Sequence, residues 1–233
     1  MTIFTPQNSE QLQKIAKEQS ALIIRSGGSK PALSFPPENA NLLDMSQLRG
    51  IIEYQADEYT FTAYADTALS EINMALAEHG QYLPFEPILV EQGATLGGTV
   101  AANTSGSGRF RYGGVRDFIL GIRFVDGYGN LVRSGGKVVK NAAGFDLSKF
   151  MVGSLGHYGA LVELSFKVFP KPQVYQTLAL TYPDTRTALQ AIFALSSSTL
   201  EMDALDLEVN EEAFIPVQRL ETHRVISGKC FAI

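Results

Sequence analysis

The sequence predicts an α+β protein, and three observations carry that expectation. Short runs rich in β-forming residues dominate the chain, only a few stretches have helical period, and turn residues separate nearly all of them. Sixteen of the 21 glycines fall between Gly93 and Gly159, so that window needs unusually close backbone approach. With 233 residues, 45% of them hydrophobic, the chain can bury one large core or two small ones.

Taken in order, Thr5-Pro6 followed by Leu12, Ile15 and Ala16 predicts an N-terminal helix with proline in its first turn. Residues 21–25, 41–44, 50–54 and 60–64 read as strands, and 67–79 as a helix with Leu69, Ile72 and Leu76 on one face and Gly80 at its end. His79 then stands where a cation suits the helix dipole. Strands are expected at 118–125 and 130–133, joined through Asp126-Gly127-Tyr128-Gly129, with a short helix at 146–152 and a strong strand at 160–169. Pro170 and Pro172 punctuate the chain there. A last block combines strands at 174–182, 204–209 and 230–233 with a helix capped by Asp184 that carries Ala188, Leu189, Ile192 and Phe193 on one face. Ending on an apolar run, this block reads as a shortened or interrupted unit.

Charge and cysteine content narrow the function classes. A formal charge of -5 gives no global field to hold a nucleic-acid backbone. One cysteine, Cys230, allows no internal disulfide and no cluster for iron–sulfur or structural zinc, which fits a reducing, cytoplasmic setting. No apolar run approaches the roughly 20 residues that span a bilayer, and the first residues do not form a signal peptide, so membrane contact is expected only through a partner.

Three segments carry candidate chemistry. Arg25-Ser26-Gly27-Gly28-Ser29-Lys30 runs from a strand into a double-glycine turn whose amides can converge on an anion, with pyrophosphate as the natural guest; a plain surface turn has the same composition. Gly93 to Gly106 is small almost throughout, so a backbone or flat ring can approach it, and Gly97-Gly98 is placed to start a helix with free amides toward phosphate. At Gly28 and Gly98 a side chain is expected to obstruct that approach. Neither a dinucleotide-binding G-x-G-x-x-G nor a P-loop is present. Arg109, Arg111 and Arg116 suit a dianionic cofactor, an acidic substrate or a carboxylate-rich partner, and equally a solvated loop.

In order, these segments resemble the FAD-binding domain of the vanillyl-alcohol-oxidase/p-cresol-methylhydroxylase (PCMH-type) flavoprotein superfamily, and within it the FAD-binding subunits of glycolate oxidases. The resemblance runs from about residue 23 to 170 and is most specific in VRDFILGIRFVDGYGNLVRSGGKVVKNAAGFDLSKFMVGSLG, residues 115–156. It implies a FAD-binding domain over 1–172, with two α+β subdomains at about 1–86 and 87–172, and a short cap-like α+β segment over 173–233. By the same resemblance Arg25, Ser26, Gly27, Gly28, Ser29 and Lys30 hold the pyrophosphate together with Gly93, Leu96, Gly97 and Gly98. Ala101, Asn103, Thr104, Ser105 and Gly106 lie by the flavin and ribityl chain. Gly159, Leu161 and Val162 add backbone contacts, and Asp117 and Gly121 give structural support.

Two departures matter. Relatives with covalently attached flavin often have histidine where this chain has Ser29, so noncovalent FAD is expected. The usual G-T-L-G-[VI]-[IL]-T pattern appears as Gly156-His157-Tyr158-Gly159-Ala160-Leu161-Val162, and side-chain contacts there are expected to differ. His157, Lys140, Asp146 and Tyr158 find no sequence-level partner and read as structural or solvated, and His223 likewise has none in view. The implied activity is oxidation of small 2-hydroxy acids of glycolate or D-lactate type in a complex with a larger flavin subunit and an iron–sulfur subunit. A noncatalytic assembly subunit with structural FAD, and a flavin dehydrogenase of another alcohol, stay open as alternatives. No catalytic residue is assigned, and no metal ligand.

Overall fold

The computed structural model describes residues 1–33, 39–136, 145–209 and 214–221. The expected strand at 230–233, and with it Lys140, His223 and Cys230, lies outside them. From the N-terminus come β1 (Ile3–Phe4), α1 (Ser9–Glu18), β2 (Leu22–Arg25) and β3 (Asn41–Asp44). Then follow β4 (Ile51–Gln55), β5 (Thr60–Tyr64), α2 (Leu69–Ala77), β6 (Gln81–Tyr82), α3 (Leu96–Ala102) and α4 (Arg109–Tyr112). After them stand β7 (Ile119–Val125), β8 (Leu131–Gly135), α5 (Leu147–Phe150), β9 (Ala160–Lys167) and β10 (Phe169–Pro170). The described chain closes with β11 (Tyr175–Ala179), α6 (Thr185–Ser196), β12 (Met202–Val209) and β13 (Phe214–Glu221). Among the described residues no helix is long and apolar enough to cross a membrane.

Two compact units result, Met1–Gly106 with Gly114–Pro170, and Ser107–Gly113 with Lys171–Ile233. In the first, β1-β3-β2 form a small parallel sheet and β4-β5-β9-β7-β8 a five-stranded antiparallel one. The larger sheet draws β4 and β5 from before residue 86 and β7 to β9 from after it, because β9 pairs on one side with β5 and on the other with β7. One core joins the sheets: Leu12 of α1, Leu43, Met45 and Leu48 pack with Val125, Ala160 and Val162. A second is aromatic, with Phe85 5.4 Å from Phe118 and 6.1 Å from Phe166, and Phe166 stacked on Phe61. Each fully buried phenylalanine there contributes about 2–3 kcal/mol of burial.

Helix starts differ from expectation for identifiable reasons. Asn8 caps α1 by accepting from the Gln11 amide at 2.9 Å, so Pro6 sits ahead of the helix instead of in its first turn. The second helix begins at Leu69, not Thr67, because the Thr67 hydroxyl is committed to the Tyr64 and Gly50 carbonyls while the Leu69 amide finds the Ala94 carbonyl. His79 beyond it sets its ring edge-on to Tyr54. The β7–β8 connection forms as expected: Gly129 has φ +75°, and the Asp126 carboxylate accepts from the Tyr128 and Asn130 amides.

The second unit is a three-stranded sheet, β11-β13-β12, with α6 and α4. Asp184 caps α6 as expected. Of the apolar face, Ala188 is buried but Leu189 and Phe193 are exposed. Arg111 on α4 is an ion-pairing residue of this unit: it meets Asp203 at 2.9 Å and Glu201 at 3.2 Å. Arg109 and Arg116 are exposed.

Candidate cofactor site

Strand β2 delivers residues 25–30 to the start of α3. Arg25 ends the strand with its side chain exposed and its carbonyl taken by the Met45 amide at 2.9 Å. Beyond it the chain presses on the second glycine segment. A Cβ on Gly27 would stand 2.1 Å from the Gly93 carbonyl oxygen, a contact only glycine permits. Gly28 is glycine for a different reason, a φ of +64° with open space around it. Among the described residues the amides of Gly27, Gly28, Ser29 and Lys30 donate to nothing.

The Lys30 ammonium completes the turn. It donates to Ser29 Oγ at 3.1 Å and pairs with no carboxylate among the described residues. Burial holds it below the usual lysine range. A desolvated cation beside four open amides is the electrostatic complement of a phosphate group.

Helix α3 contributes differently from the sequence expectation. Its opening amides are not free: Leu96 donates to the Thr67 carbonyl at 3.0 Å, Gly97 to the Ala65 carbonyl at 2.7 Å, and Gly98 to Thr95 Oγ1 at 3.2 Å. Thr95 caps the helix, which consumes the donors that the Gly97-Gly98 pair was expected to offer. Gly97 is there for packing, since a Cβ would stand 2.7 Å from Ala65 Cβ. At Gly98 a Cβ would meet Thr95 Oγ1 at 3.1 Å and Lys30 Nζ at 4.0 Å, so that glycine borders the same space.

A second cluster forms at the other end of α3. Asn103 closes the helix with φ +52°, and the turn 151–156 docks on it, the Gly153 and Leu155 amides donating to the Val100 and Ala101 carbonyls at 2.9 Å. Gly156 lies against Ile24 of β2, which places this turn beside the first loop's strand. Here the hydroxyls of Thr99, Thr104 and Ser154 are buried with no hydrogen-bond partner among the described residues. Each leaves about 1–3 kcal/mol of desolvation uncompensated among the described residues. Open amides and a partly desolvated ammonium fit an anionic, phosphate-bearing cofactor such as FAD.

The remaining candidates frame these clusters. Ser105 Oγ accepts from the Val115 amide at 3.0 Å, and the Gly106 amide reaches the Phe85 and Glu86 carbonyls, where a Cβ would stand 2.4 Å from Glu86 O. Asp117 accepts from the Gly114 amide at 2.9 Å, and Gly121 lies close against Gly136. Gly159, with φ +146°, fits under the Val125 carbonyl. Leu161 and Val162 are buried in β9; the Leu161 position pairs with Phe124, and the Val162 carbonyl accepts from the Ala65 amide at 2.8 Å. His157 is exposed, Tyr158 packs its ring on Phe150, and Asp146 caps α5. Thr95, Thr99, Ser154 and Asp66, absent from the sequence-based set, lie next to these segments: Thr95 and Asp66 meet Ser26, Thr99 stands on α3 and Ser154 on the turn docked to it. Thr99 stands four residues after Thr95 and Ser154 beside Gly153, but nothing in the sequence shows that their hydroxyls end up buried and unpaired.

Comparison with known proteins agrees with this geometry. Residues 2–135 match the FAD binding domain family. Glycolate oxidase subunit GlcE of Escherichia coli K12 is 42% identical over 169 residues, covering 72% of this chain and 48% of that protein. Glycolate oxidase subunit GlcD of Bacillus subtilis 168 is 27% identical, covering 82% of this chain and 41% of that one, and D-lactate dehydrogenase of Archaeoglobus fulgidus is 27% identical, covering 86% and 46%. The chain thus spans about half the length of the curated relatives it matches. In fold it is similar to the solved structure of alkyldihydroxyacetonephosphate synthase, with a TM-score of 0.77 at 19% identity, covering 94% of this chain and 46% of that one. The α+β, PCMH-type fold is therefore the fold of this protein, FAD is its cofactor, and the chain belongs to the FAD-binding domain family.

Proposed function

We propose that the chain is the FAD-binding subunit of a complex that oxidises small 2-hydroxy acids of the glycolate or D-lactate type, with FAD held noncovalently. The observation that carries the cofactor half is the turn at Gly27–Lys30, whose four amides donate to nothing among the described residues and stand beside a partly buried ammonium. The substrate half is supported by the names of the relatives, two glycolate oxidase subunits and a D-lactate dehydrogenase. The FAD-binding domain is assigned to 1–172, within which the five-stranded sheet joins strands from both 1–86 and 87–172, and a cap-like segment to 173–233.

In this reading the amides of Gly27 to Lys30 and the Lys30 ammonium hold the pyrophosphate, with Arg25 and Ser26 presenting the turn and Gly93, Leu96, Gly97 and Gly98 backing it. Thr99, Thr104 and Ser154 stand behind the site, on α3, just past its end and on the turn docked against it. Ala101, Asn103, Ser105 and Gly106 lie alongside, while Asp117, Gly159, Leu161 and Val162 fix the surrounding backbone. Bound FAD supplies two-electron acceptance from the carbon bearing the substrate hydroxyl. Ser29, in place of a linking histidine, leaves the cofactor unattached. A larger flavin subunit and an iron–sulfur subunit are the proposed partners, in a cytoplasmic complex whose membrane contact runs through them.

Anaerobic titration with glycolate and D-lactate tests this. Oxidation needs a base within hydrogen-bond reach of the substrate hydroxyl, and no residue of this chain is assigned that role. The isolated, FAD-loaded chain is expected to bleach at least about 100-fold more slowly than the reconstituted complex. Full rapid bleaching of the chain alone contradicts the need for partners, and a complex that neither acid bleaches contradicts the substrate class.

A further inference from the structure

Beneath the first loop lies a carboxylate that phosphate binding alone does not call for. The turn 65–67 is tied to α3 through the Leu96 and Gly97 amides, and to the turn after β3 through the Asp66 amide, which donates to the Leu48 carbonyl at 3.1 Å. This fixes the half-buried Asp66 side chain against Ser26, whose hydroxyl donates to Asp66 Oδ1. Ser26 Oγ in turn lies 2.6 Å from Thr95 Oγ1, and Thr95 Oγ1 accepts the Gly98 amide.

The direction of this chain follows from the inventory of donors. Gly98 N–H gives to Thr95, the Thr95 hydroxyl gives to Ser26, and the Ser26 hydroxyl gives to Asp66. An ionised Asp66 accepts only, so it locks the Ser26 proton inward, away from a guest in the loop. A protonated Asp66 can instead donate to Ser26 Oγ, which turns the Ser26 proton free to meet an anion. It also removes a negative charge from behind the site.

We infer that Asp66 is a positioning residue for the first loop: through Ser26 and Thr95 it sets which way the loop's hydroxyls donate, and binding of the FAD pyrophosphate takes up a proton on its carboxyl. This rests on the assignment of the pyrophosphate to Gly27–Lys30. The proton comes from solvent and resides on Asp66; no other bond changes. Burial already raises this carboxyl above the ordinary range, against the lowering from the Ser26 hydrogen bond, while Asp44 on β3 adds to the rise and Arg49 on the following turn opposes it. Arg25 and Lys30 are the charged residues of the loop itself, and the 93–98 segment brings only the neutral Thr95.

The sign is fixed by linkage. An anion favours the protonated carboxyl, so affinity is highest below the carboxyl's range and falls as pH rises through it, by up to about tenfold per pH unit. Lys30, which loses its charge as pH rises, acts in the same direction but is untouched by a change at Asp66. The test is FAD affinity from flavin fluorescence between about pH 5 and about pH 8, for the unmodified chain and for Asp66→Asn. The unmodified chain should lose affinity steadily with pH, and Asp66→Asn should show a shallower fall that keeps only the part Lys30 contributes. Calorimetry of FAD binding to the unmodified chain in two buffers of different ionisation enthalpy should show proton uptake, a readout that does not depend on the variant folding. Parallel pH profiles for the two proteins, or binding without proton uptake, overturn the inference while leaving the FAD site standing. Failure of both proteins to bind FAD at any pH overturns the site and the inference together.

Discussion

Replacing Gly27 by alanine is expected to weaken FAD binding by at least about 100-fold, on the order of 3 kcal/mol. The added methyl carbon would lie 2.1 Å from the Gly93 carbonyl oxygen and 3.0 Å from Thr95 Cγ2, and backbone oxygen cannot swing aside as a side chain would. The loop must lift away from residues 93–95, which breaks the Ser26–Thr95 contact and turns the amides of 27–30 out of register with one another. Overpacking of this kind costs about 1–3 kcal/mol of stability as well, so the variant is measured by denaturation alongside the FAD titration. Gly127→Ala, where nothing lies within 4 Å of the new carbon, serves as the control. Unchanged FAD affinity in a folded Gly27→Ala variant would show that the pyrophosphate is bound elsewhere.

Arg111→Ala is expected to have the largest effect on the second unit, destabilising it by about 2 kcal/mol. Asp203 is 3% exposed, and the guanidinium at 2.9 Å is its countercharge, with the Tyr112 hydroxyl donating at 3.3 Å. Removing the arginine takes a close positive charge away from a buried carboxylate, whereas the contact to exposed Glu201 contributes little. Asp203→Asn in the Arg111→Ala background should recover much of the loss, because an uncharged amide is cheaper to bury. Urea denaturation of the three proteins measures it. Equal stability of Arg111→Ala and the unmodified chain would mean that the pair is not what fastens α4 to β12.

Much of this was legible in the sequence where local chemistry decides. Strands 41–44 and 60–64 are found at those residues, Gly129 and Asp126 build the expected turn, and Asp184 caps its helix. The glycine-rich window from Gly93 announced close backbone approach, which the structure shows at Gly97 against Ala65, while the approach of Gly27 to Gly93 was not foreseen. What escaped depends on partners distant in the chain. Thr67 reads as the first residue of a helix but spends its hydroxyl on Gly50 and Tyr64, and the opening amides of α3 look free until Ala65 and Thr67 arrive to accept them. Arg111 reads as part of an anion-binding trio until Asp203, far along the chain, claims it. Asp66 gives no signal at all, since its meaning lies in Ser26, 40 positions earlier.

The most direct test of the central claim, that this chain folds around one noncovalently held FAD, is acid precipitation of the FAD-loaded protein after gel filtration. The absorption spectrum before precipitation gives the flavin per chain, and the spectrum of the supernatant gives the share released. About one FAD per chain is expected, with all of the yellow colour in the supernatant, since Ser29 offers no linkage. Protein that leaves the column colourless, or a precipitate that keeps its flavin, would contradict it.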